Sequence, residues 1–221
     1  MKSKRLFLLV FAGLLVACSS GPGMPRFSTD RHLTGLPVVT LQSGMVYSAS
    51  TAFIAEVDGQ NLLATVADTW DQGNLGPSMV SAQLASIQLQ TFAEPRRSLA
   101  ESQHSEWRAG GRLLVFPLES QSNEVASLPL APTGRPRVGD WVYLLGCRSA
   151  NGACQVQSNA VRITRSEGDA VEAVPDLPNE LHAFTGAPVL TATGELVAIY
   201  TGFRGGDDPA LLMLPATELT E

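Results

Sequence analysis

The chain has 221 residues, 44% of them apolar, with 15 basic and 21 acidic side chains and a formal charge of −6. Its only lysines are Lys2 and Lys4, so removal of residues 1–17 leaves 204 residues with 12 arginines against the same 21 acids, a formal −9. That balance excludes a nucleic-acid partner, which needs a basic footprint, and adsorption to anionic lipid by charge alone.

Lys2, Lys4 and Arg5 precede an apolar run from Leu6 to Val16 that contains the small residues Ala12 and Gly13. This is the charged region and short apolar region of a secretory signal. A bilayer-spanning helix needs about 20 apolar residues, so the run is too short to cross. It ends in Leu15-Val16-Ala17-Cys18, which resembles the lipobox of bacterial lipoprotein precursors. The resemblance implies cleavage before Cys18, acylation of its thiol (palmitate among the acyl groups) and amine, and an anchor with several chains where one alone is marginal. The other reading is an ordinary signal peptide with a chance cysteine at its end. Ser19 stands where an aspartate would resemble an inner-membrane retention signal, which implies the periplasmic face of the outer membrane. The stretch Ser19 to His32 is rich in Ser, Gly and Pro, and residues 18–35 read as a flexible tether.

Short apolar and β-branched runs then recur between Gly, Pro and Asn breaks. They are Val38–Leu41, Thr51–Val57, Asn61–Val66, Ser81–Gln90, Leu113–Leu118, Trp141–Gly146, Gln155–Thr164, Ala187–Leu190, Leu196–Thr201 and Ala210–Leu214. Strands this short and this closely spaced predict an all-β barrel or sandwich rather than βαβ units. Ser81–Gln90 reads as a strand, although its propensities also allow a helix. The polar segment Ala100–Gly111 reads as a loop. Pro132–Pro136 divides the domain, 36–221, into halves of about 36–130 and 136–221. Each half is expected to form a β-barrel of about six strands.

Cys147 and Cys154 bracket a segment containing Asn151-Gly152, a strong hairpin-turn dipeptide. An oxidising compartment favours a disulfide across that hairpin. A metal site would lack nearby His or further Cys ligands, and neither a metal nor a cofactor is expected.

Three segments in order resemble trypsin-like serine proteases, especially the Deg-type periplasmic ones. Thr51-Ala52-Phe53-Ile54, then Gly59-Gln60-Asn61-Leu62-Leu63-Ala64-Thr65-Val66-Ala67-Asp68, resembles a strand, a turn and the family's Leu-Thr-Ala-Ala-His. Arg112-Leu113-Leu114-Val115-Phe116-Pro117-Leu118 resembles Asp-Leu-Ala-Val-Leu-Lys-Val. Phe184-Thr185-Gly186-Ala187-Pro188-Val189-Leu190, with Gly194-Glu195-Leu196-Val197-Ala198-Ile199 beyond, is similar to the segment around the nucleophile. The resemblance covers about residues 36–219 and implies two stacked six-stranded barrels with a cleft between them.

The same correspondence puts Asp68 at the histidine position, Arg112 at the aspartate position and Thr185 at the serine position. Asp68 is a poor base for an alcohol. Arg112 has no acceptor and cannot orient a base, and threonine's extra methyl crowds attack. The glycine that precedes this turn in the family is replaced by Ala183. Because triad members act as a unit, the resemblance implies a scaffold without hydrolysis. The expected role is a membrane-anchored binder of a protein or peptide in the inter-barrel cleft. An active peptidase with a threonine or displaced nucleophile, and a purely structural envelope protein, are the alternatives. Asp68 and Arg112 either pair across the cleft or point to solvent. His32, His104 and His182 lack metal-ligand spacing, and Trp70, Trp107 and Trp141 read as core or rim aromatics. No phosphate loop, dinucleotide fingerprint or Gly-x-Ser-x-Gly elbow is present.

Overall fold

Leu36–Leu41 (β1) alternates half-buried and buried residues, as a strand with one face on a core must. The structure, a computed structural model, describes Phe27 and residues 31–48, 51–67, 83–108, 112–150, 153–174 and 184–220, without the side chains of residues 107, 148–150 and 153–155. β1 pairs antiparallel with Val46–Ser48 (β2) on one side and Leu84–Gln90 (β5) on the other. Ser98–Ser102 (β6) and Ser120–Gln121 (β9) complete this five-stranded sheet.

A second sheet holds Phe53–Val57 (β3), Gln60–Val66 (β4), Glu106–Arg108 (β7), Leu113–Pro117 (β8) and Ser127–Pro129 (β10), in the order β10-β3-β4-β8-β7. The two sheets enclose one core, with Val39, Leu41, Ile87 and Leu89 from one and Ile54, Leu63, Leu114 and Phe116 from the other. The N-terminal half thus closes as two facing five-stranded sheets.

The C-terminal half closes on itself. Trp141–Ala150 (β11), Ala153–Glu167 (β12), Ala170–Val174 (β13), Pro188–Leu190 (β14), Leu196–Arg204 (β15) and Ala210–Pro215 (β16) form a barrel in the order β11-β12-β13-β16-β15-β14. Closure leaves no unpaired sheet edge at either end of this order. Val142, Leu144, Val161, Ala173, Phe184 and Tyr200 are among the residues that fill it.

The continuous apolar runs of β3, β4 and β8 have a structural cause. One face of each strand enters the first core, through Ile54, Leu63 and Leu114. The other face, through Phe53, Ala55, Leu62, Ala64, Leu113 and Val115, packs on Leu145, Leu190, Leu196, Ile199 and Leu214 of the second barrel. A sheet buried on both faces cannot alternate polar with apolar. The two barrels therefore share an apolar wall. The link between them is also tied down: Gly134 accepts a hydrogen bond from the Thr217 amide at 3.1 Å, and Ala131 donates one to the Leu196 carbonyl at 2.9 Å.

Two readings need correction, and a third, the strand over Ser81–Gln90, is borne out with a later start. The segment taken as a loop, Ala100–Gly111, contributes to β6 and contains β7. Its pattern is masked because buried Ser102 replaces an apolar residue, and its hydroxyl donates to the Pro117 carbonyl at 2.6 Å. Ser81–Gln90 is strand from Leu84 onward. The end of the stretch read as tether is docked rather than free. His32 bridges to Val125, Gly35 bridges to Ala52, and the Phe27 ring meets Tyr143 edge-on at 5.8 Å between centroids. Pairing to the barrels and apolar contact outweigh the local Ser/Gly/Pro composition.

Candidate functional site

The turn that carries Thr185 is built by its neighbours. The Ala187 amide donates to the Phe184 carbonyl at 2.7 Å, and Gly186 adopts φ +85°, a conformation natural to glycine. On the second-barrel side, Gly186 N–H donates to the Tyr200 carbonyl at 2.8 Å and Tyr200 N–H donates to Ala187 at 2.9 Å. On the first-barrel side, Thr51 N–H donates to the Thr185 carbonyl at 3.1 Å. The buried Thr65 hydroxyl donates to the Thr51 carbonyl at 2.9 Å. Thr185 itself is half-buried. The turn therefore sits on the seam between barrels, seated on Thr51 and Thr65.

The Arg112 position lies at the same end of the first barrel. Val66 of β4 lies opposite Leu113 of β8, and the next step of the ladder joins Ala67 N–H to the Arg112 carbonyl at 2.9 Å. Asp68 follows directly in the chain but lies outside the described residues, as do His182 and Ala183. Arg112 extends toward the second barrel and donates from Nη2 to Asp169 Oδ2 at 2.6 Å. The side chains are 42% and 63% exposed, so the pair adds little stability. Asp169 lies in the β12–β13 turn, whose Gly168 carbonyl accepts a hydrogen bond from Arg135 of the linker. The contact of Arg112 with Asp169 was invisible to sequence reasoning, because nothing in the local pattern of either segment links them.

Beneath the turn, the second barrel is filled by aromatic residues. Phe184 is 2% exposed, and a Cβ built on Gly146 would lie 1.9 Å from its Cδ1 atom. Gly146 is what admits this ring. The Tyr200 hydroxyl is buried without a hydrogen-bond partner among the described residues, and burial pushes its pKa up to about 12. Thr201–Arg204 continues β15 beyond the last β14 partner, Pro188 opposite Ile199. Among the described residues it pairs there with β16 alone.

On the outer wall of this barrel, Arg204 grips Glu172 with both terminal nitrogens, at 3.1 and 2.9 Å, and Arg165 approaches at 3.4 Å. The Arg204 hydrogen bonds, acting against the cost of burial, hold the Glu172 carboxyl below its ordinary 4.5. A carboxyl with a depressed folded-state pKa stabilises the fold above its unfolded value and loses that contribution as pH falls through the folded one. Glu172→Gln should therefore lower Tm at pH 7 and flatten the decline of Tm below pH 4.5, checked by thermal melts across that range. Equal acid limbs in the two proteins would contradict it.

The β11–β12 ladder runs to Ala150 opposite Ala153, which leaves residues 151–152 as the connection. Its register sets Cys147 opposite Val156 and Cys154 opposite Ser149. The two positions are thus diagonal neighbours in the ladder. The side chain of Cys154 lies outside the described residues. Among the described residues, no group of three or more His, Cys, Asp or Glu is placed to hold a metal ion, and no helix is long and apolar enough to cross a membrane.

A search of curated protein sequences returned no match. Solved structures do share the fold. A thermostable serine protease, AL20, from an extremophilic microorganism superposes with a TM-score of 0.57 at 14% identity, covering 83% of this chain and 90% of that one. Human heparin binding protein gives 0.57 at 12% identity, with 87% and 91% covered. An inactivated protease paralogue from the scabies mite gives 0.56 at 13%, with 85% and 91% covered. The sequence profile of the trypsin-like peptidase domain matches residues 42–199. That span is well over half of the sequence and takes in the inter-barrel seam with Arg112 and Thr185, so the chain belongs to the trypsin-like peptidase family.

Proposed function

We propose that this protein is a lipid-anchored envelope component whose trypsin-like cleft binds a protein or peptide without cleaving it. The observation that carries the proposal is Arg112. It stands where the family pattern has an aspartate, and its guanidinium is engaged with Asp169 at 2.6 Å. A guanidinium stays charged and offers donors only, so it cannot hold an imidazole in the orientation that hydrolysis needs. Thr185 on the seam and Asp68 in the histidine position remove the other two roles. The site is then a cleft without a proton relay.

The scaffold that would receive a peptide is retained. Thr201–Arg204 offers a strand edge beside the Thr185 turn, suited to addition of an extended peptide by main-chain hydrogen bonds. One protein of this fold is named an inactivated protease paralogue and another a heparin binding protein, so the fold also serves chains not named as working proteases. The anchor is assigned to Cys18 from its lipobox-like setting, with the periplasmic face of the outer membrane as its site. Cys147 is disulfide-bonded, and we assign Cys154, the other cysteine of this hairpin, as its partner.

Cys18→Ala should abolish incorporation of labelled palmitate and release the chain from membranes. The mature protein should resist a fluorophosphonate probe and should return bound extended peptides intact, as read by mass spectrometry. Stoichiometric labelling, or peptide cleavage that vanishes in Thr185→Val, would overturn the non-hydrolytic reading.

A further inference from the structure

Three large apolar side chains lie exposed together on the outer wall of the second barrel. Val138 is 64% exposed, Trp141 39% and Val174 50%. The register places Trp141 opposite Arg162, and Arg162 opposite Val174. Trp141, Arg162 and Val174 thus form one row across β11, β12 and β13, about 10 Å wide at the usual strand spacing. Their side chains point outward, because the next residues along, Val142, Val161 and Ala173, point into the barrel core. Arg162 is exposed and has no ion-pair partner among the described residues. Val138 lies in the turn before β11, where Arg137 N–H donates to Asp140 Oδ2 at 2.8 Å.

The position of this row relative to the N-terminal arm points to what covers it. Phe27 packs edge-on against Tyr143 at 5.8 Å and lies 3.8 Å from a Cβ built on Gly194. Tyr143 is two residues from Trp141 in β11, on the same side of the strand. The arm therefore joins the domain beside the exposed row. Phe27 is nine chain steps from Cys18, which gives a greatest reach of about 30 Å. A globular domain of this length has a radius of gyration of about 16 Å and is about 40 Å across. A free tether over 18–35 would reach about 60 Å and would allow any face to meet the membrane. The docked arm reaches less than the domain's width, so the face that holds Phe27 must turn toward whatever holds Cys18.

We infer that the row of Trp141, Arg162 and Val174, with Val138 in the turn before β11, rests on the lipid surface, in the zone between headgroups and acyl chains. The inference stands on the lipid anchor proposed at Cys18. Tryptophan favours that zone because its ring is apolar and its indole N–H can still find a polar partner. The valines add buried apolar area, and the Arg162 fork matches a lipid phosphate. With a formal −9 after residue 17, the contact is held by the acyl anchor and apolar area rather than by net charge. The barrel then lies with β11–β13 toward the bilayer.

The experiment uses the full lipidated chain in vesicles of phosphatidylethanolamine and phosphatidylglycerol, with or without bromine on the acyl chains. Flotation reads the anchor, and tryptophan quenching by the brominated lipid reads the contact. The wild-type chain should float and be quenched, and Trp141→Phe should float with quenching at least twofold smaller. Val138→Asp with Val174→Asp should float and lose quenching of the same component. A floating Trp141→Phe protein with unchanged quenching overturns the contact and leaves the anchor standing. A chain that does not float overturns both. If a second copy covers the row instead, the floated wild type will be unquenched and cross-link as a dimer through β11–β13, which also overturns the contact.

Discussion

Gly186→Ala should cost about 3–5 kcal/mol, the sum of a left-handed backbone imposed on a residue with a Cβ and a forced overlap. The glycine sits at φ +85°, and an added Cβ would lie 2.2 Å from the Thr51 carbonyl oxygen and 2.8 Å from Thr65 Oγ1. The nearer atom belongs to backbone and cannot rotate away. Its carbonyl also accepts the Thr65 hydroxyl, and its residue donates to Thr185. Relief would separate the Thr185 turn from the first barrel and open the seam. In a domain of this size each kcal/mol shifts Tm by about 2–4 °C, so a drop of roughly 10 °C or more is expected in a thermal melt. The denaturant slope should stay near wild type if unfolding remains all-or-none. A variant within about 1 kcal/mol of wild type would mean that the turn is not seated on Thr51.

Gly146→Ala should cost about 2–4 kcal/mol, because its Cβ would come within 1.9 Å of Phe184 Cδ1 and 2.5 Å of both Cε1 and Cγ. Those atoms belong to a ring that is 2% exposed within the packed second barrel, so no empty rotamer awaits it. The effect differs from that of Gly186, since here a side chain causes the conflict and a smaller one relieves it. Phe184→Leu alone should destabilise by leaving a void. In the double variant the two losses should not add, with a favourable coupling of at least about 1 kcal/mol. Urea denaturation of the four proteins measures it. Additive losses would show that ring and glycine do not meet.

Much of the architecture was legible in short stretches of sequence. The apolar, β-branched run Val38–Leu41 reads as a strand, and Leu36–Leu41 is one, with alternate residues buried. β3, β4 and β8 read as unbroken apolar runs, and the structure accounts for that by burying both of their faces. The Asn-Gly pair marked the β11–β12 hairpin, whose ladder closes on residues 150 and 153. Strands went unread where their apolar content was thin. β6 buries Leu99, Ala100 and a serine, and β13 carries Glu172 between its two inward residues.

The candidate site was legible in type and only partly in geometry. Thr185 and Arg112 were found because each begins or precedes an apolar strand in a recognisable order. The partner of Arg112 was not found, since Asp169 lies 57 residues away in a turn of the other half. Phe184 against Gly146 and Gly186 against Thr51 escaped for the same reason.

Strand identity follows from side-chain periodicity, which is set within five or six residues and survives any context that supplies a core. The charged and apolar pattern at the N-terminus, read as an export signal, is local in the same way. The docking of Phe27 and His32, the seat of the Thr185 turn and the Arg112–Asp169 bridge depend on how the two-sheet N-terminal half and the closed C-terminal barrel are brought face to face. That placement comes from burying the shared apolar wall of β3, β4 and β8, a property of the packed whole that no window of neighbouring residues contains.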